Sequence, residues 1–380
     1  ALSYTQSPGN LLILHLGRLS GPAGVTAAIV AVNGLLAEAW NQHWQGNDRG
    51  SSRHSSPPSL ASARSLRLAG APILLTSASL LVVSLHTLGF WFYHQPLEQP
   101  PEMALKIGIV QGNVPTRIKL FSEGLRLAEA GYTEGYKTLV DQGVDAVLTP
   151  EGALPILWDQ QSRDRSAFHQ AILARRVPAW LGTFTLQPGG IARSLVTIAG
   201  NGEILSRYDK VKLVPLGEYL PFADILGRVI RLLTTIDENG VPGTLNQRLT
   251  TPFGQAIGSI CYDSAFPEVF RAQTATGGQF ILTASNLDPY SEVLMAQHQA
   301  HDLMRAIETD RWAVRATNTG YSSFIDPHGK ILWRSQPQTY QIYAGTIFRR
   351  QTQTPYVRWG DWLTPLLLIL GAVTWGSQRR

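Results

Sequence analysis

A single cysteine, Cys261, sits in "AIGSICYDSAF" (256–266), at the end of an apolar run of small residues and directly before Tyr262 and Asp263. A thiol attacks a carbonyl as its thiolate, so it needs a base or a nearby cation to lower a pKa of about 8.5. A carboxylate can take the proton, and a lysine beside the developing oxyanion can stabilise the tetrahedral intermediate. Glu151 follows the strand-like "AVLTP", and Lys210 lies in "RYDKVKLVPLGEYLP" after a similar stretch. Cysteine, glutamate and lysine together suffice for acyl transfer. Taken singly, a cysteine is equally a small buried residue and a Glu or Lys a surface charge. The fold must therefore bring the three together.

The elements that could do so are short apolar runs alternating with longer polar ones from about residue 104 to 348. "LKIGIVQGN", "DAVLTPE", "AWLGTFT", "SLVTIAG", "QAIGSICYD", "FILTASN" and "WAVRATNTG" read as buried strands. "FIDPHGKIL" reads as a hairpin turning on His328 and Gly329. Helical patterns fill 122–142, 164–176 and 291–310. This alternation predicts an α/β fold with helices covering sheets. Reactive groups in such folds collect beyond the carboxyl ends of strands, where Glu151, Lys210 and Cys261 fall.

The rest of the chain is different. One cysteine excludes a disulfide scaffold. The net charge of +5 comes without a stripe of Lys and Arg interleaved with aromatics, which argues against a nucleic-acid partner. Three runs lack charge: "GPAGVTAAIVAVNGLLA" (21–37), "APILLTSASLLVVSLHTLGFWFYH" (71–94) and "WLTPLLLILGAVTW" (362–375). A span takes about 20 residues with interfacial aromatics as anchors, so all three are candidate transmembrane helices and the third is the shortest. Arg49, Arg53, Arg64 and Arg67 between the first two, and Arg379 and Arg380 at the end, predict that these parts face the cytoplasm and residues 94–361 lie outside. Ala1 would then also lie outside, which predicts further upstream sequence, an even number of extra spans restoring an inside start. The expected layout is a membrane region over 1–94 with two spans and a basic disordered loop (about 43–70), and a proline-rich linker over 95–104. A catalytic domain over 105–349 and a C-terminal transmembrane helix with a basic end over 350–380 complete it.

"LTPEGALP", "YDKVKLVPLGEYLP" and "SICYDSAFPEVF" resemble, in this order, the three catalytic motifs of the nitrilase superfamily. With "RAIETDRWAVRATNTGYSSFIDPHG" and the flanking apolar segments, the chain resembles that superfamily's membrane-embedded branch, the apolipoprotein N-acyltransferases, over roughly residues 20–376. The resemblance implies a nitrilase-like αββα sandwich with flanking transmembrane helices, facing the periplasm from the bacterial inner membrane. It implies Glu151 as general base, Lys210 rather than Lys212 as oxyanion stabiliser, and Cys261 as nucleophile. Glu218, Tyr262 and Asp263 would support them. The implied reaction moves an acyl chain from a phospholipid, through a cysteine thioester, to the amino group of the S-diacylglyceryl cysteine of an apolipoprotein. It implies a monomer and neither metal nor cofactor. Three departures stand out. Leu120 replaces a tryptophan after Lys119, "SNLDPY" stands where the family often has Asn-Asp and a tryptophan, and the family has more spans ahead of Gly21. Two alternatives are a membrane-tethered nitrilase-type amidase, in which water accepts the acyl group, and a silent member that binds lipoproteins.

No G-x-S-x-G elbow or P-loop string is present, which removes support for serine-hydrolase and nucleotide chemistry. His298 and His301, with Asp302, have a spacing that could hold a metal or simply pack. Arg305, Arg311 and Arg315, with Glu308 and Asp310, are expected to form ion pairs under the site.

Overall fold

The structure, a computed structural model, describes residues 2–48, 61–215, 217–219 and 240–377. Arg49 and Arg53 of the basic loop, and Arg379 and Arg380, lie outside the described residues. The chain forms two compact units, one of residues 1–96 with 361–380, the other of 97–360.

In the first unit, α1 (Pro22–Asp48) and α2 (Ala61–Tyr93) pack side by side. Their stretches Pro22–Trp44 and Gly70–Tyr93 are long and apolar enough to cross a membrane. Both helices run past their charge-free cores, so residues 43–48 and 61–70, read as loop from their polar composition, are helical. Ala, Ser, Arg and Leu extend a helix once the apolar turns have nucleated it. The C-terminal helix Leu363–Ser377 has 15 residues, roughly 22 Å of rise, which falls short of a hydrocarbon layer of about 30 Å. Its start is tied within the unit: Ser20 Oγ donates to Asp361 Oδ1 at 2.9 Å and the Trp362 indole donates to the Leu19 carbonyl at 2.8 Å.

The second unit is built on two six-stranded sheets. The first runs β12-β1-β2-β3-β4-β5, with β1 (Ala104–Gln111), β2 (Ala146–Leu148), β3 (Ala179–Gln187), β4 (Gly190–Ile198), β5 (Ile204–Asp209) and β12 (Gln341–Phe348). The second runs β11-β10-β9-β8-β7-β6, with β6 (Leu249–Thr251), β7 (Gly254–Ile260), β8 (Phe280–Ser285), β9 (Ala313–Thr317), β10 (Ser323–Ile325) and β11 (Ile331–Arg334). In each, three central strands are parallel and the outer ones antiparallel. The central strands are buried on both faces, which is why they read as short, mostly apolar runs. Face to face, the sheets interlock through Trp180 of β3, whose ring lies 6.1 Å from that of Phe280 on β8.

Helices cover the outer faces, giving the expected αββα sandwich. α3 (Ser122–Asp141) and α4 (Ala167–Arg175) set Tyr132, Tyr136, Phe168 and Ile172 against Val110, Val147, Leu181 and Val196. The expected helix over 164–176 is split, because Ser166 takes an extended backbone and caps α4 by accepting from the His169 amide at 3.2 Å. α5 (Pro267–Ala275) and α6 (Glu292–Thr309) cover the second sheet; Ser291 caps α6 and left-handed Asp310 ends it. The hairpin forms as expected, with Gly329 at φ 76° and Asp326 accepting the His328 and Lys330 amides, each at 2.9 Å.

Candidate active site

Three strand ends of this unit converge. β2 ends at Leu148 and the chain turns through Thr149 and Pro150 to Glu151. This turn crosses β3 so closely that a Cβ on Gly182 would lie 1.9 Å from the Pro150 carbonyl oxygen. β5 delivers Lys210 directly after Asp209. β7 delivers Cys261, which opens a 3-10 turn (Cys261–Ala265) at φ 48°, a left-handed conformation rare for a residue with a Cβ.

The structure brings Glu151, Lys210 and Glu218 into direct contact. Lys210 Nζ lies 2.9 Å from Glu151 Oε1 and 2.7 Å from Glu218 Oε1, with only 1% of Lys210 exposed. Glu218 in turn accepts from the Val214 amide at 3.0 Å and pairs with Arg193 Nε of β4 at 3.2 Å. The second oxygen of Glu151 accepts from the Asn286 amide at 3.1 Å, and Lys119 Nζ donates to the Glu151 carbonyl at 3.1 Å. Sγ of Cys261 is 3.8 Å from the Asn286 carbonyl and 3.9 Å from His298 Nε2.

Charge follows from this packing. Burial would raise the Glu151 carboxyl, but Lys210, with Arg193 and Lys119 behind it, holds it below its ordinary value. Burial would strip the Lys210 proton, yet the Glu151 and Glu218 carboxylates hold it on. Burial, with Glu151 adding to it, pushes the Cys261 thiol up to about 12 against the pull of Lys210. The resting sulfur is therefore protonated, and its proton must leave as the sulfur attacks. Lys119 is brought down to about 8 by burial, against the charges of Glu151 and Asp288.

Asp263 faces away from the thiol chemistry and fastens the frame. Its carboxylate accepts from the Ile260 amide (3.0 Å), the Lys212 amide (2.7 Å) and the Tyr208 hydroxyl (2.9 Å), joining the end of β7 to the segment that carries Lys210. Tyr262 lies half exposed with its ring edge-on to Phe266 at 5.0 Å. Lys212 points out to Glu268 at 2.8 Å and lies over the Phe266 ring.

Sequence reasoning missed Lys119, Arg193 and Asn286. A lysine between Ile118 and Leu120, and an arginine inside the apolar strand "GIARSLVTI", were the available signals. The 286–290 loop is tied to the segment before Lys119: Asp288 accepts from the Thr116 amide at 2.7 Å and Asn286 Nδ2 donates to Thr116 Oγ1 at 3.3 Å. Leu120 itself is exposed. His298 and His301 do not form a metal cluster among the described residues; Asp302 is paired with Arg315 and accepts from Ser264 Oγ at 2.7 Å. The expected ion pairs form with some partners exchanged: Arg305 with Glu308 at 2.8 Å, but Asp310 with Arg350 at 2.8 Å. Arg311 instead donates to the Gly278 carbonyl at 2.8 Å.

Residues 106–354 match the carbon-nitrogen hydrolase family. Two curated relatives, both called apolipoprotein N-acyltransferase, match nearly the whole chain. The one from Nostoc sp. is 52% identical over 99% of this chain and 70% of its own length. The one from Synechocystis sp. is 45% identical over 99% of this chain and 69% of its own. Among solved structures, the C. elegans NitFhit protein superposes with a TM-score of 0.51 at 18% identity, over 67% of this chain and 62% of its own, a likeness of fold alone. Sandwich, membrane-length helices and close sequence relatives agree, and the chain belongs to the apolipoprotein N-acyltransferases, acyltransferases of the carbon-nitrogen hydrolase superfamily.

Proposed function

We propose that this protein transfers an acyl chain from a phospholipid to the α-amino group of the S-diacylglyceryl cysteine of apolipoproteins, through a thioester on Cys261. The observation that carries the reading is the buried lysine held between two carboxylates beside the chain's single cysteine. As Sγ attacks the ester carbonyl, the S–H proton passes to Glu151 and the oxyanion forms against Lys210. Collapse of this intermediate breaks the C–O bond, and the lysophospholipid oxygen takes the proton back from Glu151. The acceptor amine then attacks the thioester, Glu151 takes its proton, and the amide forms as the thiolate leaves and recovers that proton. Glu218, steadied by Arg193, keeps Lys210 charged and aimed. Asp263 fixes the Cys261 turn relative to Lys210, and Tyr262 borders the sulfur on the open side.

In this reading residues 1–94 form the membrane region, 95–104 the linker, 105–349 the catalytic domain and 350–380 the C-terminal membrane segment. The protein is a monomer of the bacterial inner membrane with its catalytic domain on the periplasmic side. Both substrates are anchored in the same bilayer, so a membrane-held site converts their encounter into a local one. Mass spectrometry of Cys261 after incubation with phospholipid tests the reading. A long-chain acyl adduct is expected in the parent, a much weaker one in Lys210→Ala, and none in Cys261→Ala. Adding a diacylglyceryl-cysteine peptide should turn the adduct into amide; release as free acid would mark a hydrolase, and absence of any adduct a silent member.

A further inference from the structure

The proposed reaction assigns no part to His298, although its Nε2 lies 3.9 Å from the sulfur and its ring is mostly shielded from solvent. Nδ1 of the same ring is buried and finds no hydrogen-bond partner among the described residues beyond a contact of the ring with its own backbone. A buried N–H left without an acceptor is rarer than a bare lone pair, so the ring proton belongs on Nε2, where it faces Sγ. The thiol hydrogen can then point to the Asn286 carbonyl, 3.8 Å from the sulfur.

We propose that His298 is a further catalytic residue: a neutral imidazole whose Nε2–H donates a hydrogen bond to the Cys261 sulfur, stabilising it as thiolate when it attacks and again when it leaves. This deepens the acyl-transfer reading and rests on Cys261 being its nucleophile. No proton leaves the imidazole at any step; Glu151 carries the proton, and His298 supplies a dipole. The surroundings keep the ring in that role. Burial disfavours a second proton, and Arg315 of β9, His301 on the same helix and Lys210 after β5 add to it. Glu151, Glu218 and Arg315 act on the sulfur itself, while Asp302, one helical turn on, is already paired with Arg315. A neutral donor beside a lysine strengthens the thiolate without adding a further cation to a buried site.

Because Cys261 is the chain's only cysteine, its alkylation by iodoacetamide can be followed on the whole protein across pH. His298→Phe should slow alkylation by about fivefold at each pH, part of the lost thiolate being offset by its greater nucleophilicity. His298→Gln places an amide N–H near the position of Nε2 and should restore a rate close to the parent's. His298→Asn, whose amide reaches only as far as Nδ1, should stay slow. The contrast between the Gln and Asn variants still decides the matter if the Phe variant fails to fold. Parent-like alkylation in the Phe and Asn variants would reduce His298 to packing. A Gln variant as slow as Asn, or a parent rate that levels off below pH 6 as a thiolate–imidazolium pair would, also overturns the proposal. Alkylation reads the sulfur alone, so failure to find a phospholipid adduct would end the acyl-transfer reading without altering these outcomes.

Discussion

Lys210 Nζ lies 2.9 Å from Oε1 of Glu151, a residue 59 positions earlier in the chain, and the two meet where β2 and β5 of the same sheet end. The contact is almost dry, so its two halves do not carry equal risk. Removing the ammonium leaves Glu151 without a contacting cation and Glu218 with Arg193 alone in a buried site, whereas neutralising Glu151 leaves Lys210 paired with Glu218. Lys210→Met is therefore expected to cost about 3–5 kcal/mol of stability and to abolish acyl-enzyme formation. Glu151→Gln should cost much less stability but lower the rate of thioester formation by roughly a hundredfold or more. Chemical denaturation and single-turnover acylation, run on both variants, separate the two effects. Equal loss of stability would contradict this arrangement.

The same pair fixes a pH dependence. The Glu151 carboxyl is depressed from an ordinary 4.5. A depressed carboxylate stabilises the fold above its unfolded-state value and loses that contribution as pH falls through its folded-state value. Its capacity to accept the thiol proton is lost over the same range. Thioester formation should thus persist below pH 4.5 wherever the fold survives, with the acid limb moving up in Lys119→Met and Arg193→Gln, which remove cations near Glu151. An acid limb at an ordinary carboxylate value in the parent, unmoved by either substitution, would count against Glu151 as the base.

The turn that carries Glu151 depends on an absent side chain. A Cβ on Gly182 would sit 1.9 Å from the Pro150 carbonyl oxygen and 3.1 Å from the Glu151 Cα, both backbone atoms that give way only if the turn moves. Gly182→Ala should cost about 1–3 kcal/mol by overpacking. It should also weaken acylation more than a stability loss of that size would, since the base is displaced with the turn. A melting curve beside a single-turnover assay reads both.

Much of this was legible in the sequence, for a physical reason. Strands such as "AVL" and "FILTAS" are buried on both faces, so a short, mostly apolar run identifies them and places the residues that follow. The edge strand β12 is only half buried, and its pairing with β1 joins segments more than 200 residues apart. Composition likewise suggested a loop across residues 43–70, although the backbone on both sides of the undescribed part is helical. At the site, strand-end positions marked Glu151, Lys210 and Cys261 as candidates, and the family resemblance implied their roles. Neither could reveal that Arg193 backs Glu218, because an arginine inside a strand shows its partner only once the neighbouring loop is in place.

Arg193 and Lys210 share one oxygen of Glu218, at 3.2 and 2.7 Å. Such sharing has a mechanical consequence. A carboxylate anchored by Arg193 and by the Val214 amide cannot follow the lysine, so Lys210 is held at a fixed point between Glu218 and Glu151. With Glu218→Gln the second carboxylate loses its charge, and Lys210 leans on Glu151 alone. That tightens the pair most needed for proton transfer and weakens the hold on Lys210 at the oxyanion. The expected result is a fall of about tenfold in kcat with little change in KM for phospholipid, because the loss lies in the transition state. Arg193→Gln should give a smaller loss of the same kind, since the Val214 amide still holds the other oxygen of Glu218. The double variant should be no worse than Glu218→Gln alone if Arg193 acts only through Glu218. Additive losses measured above the acid limb would instead mean that Arg193 works directly on the substrate.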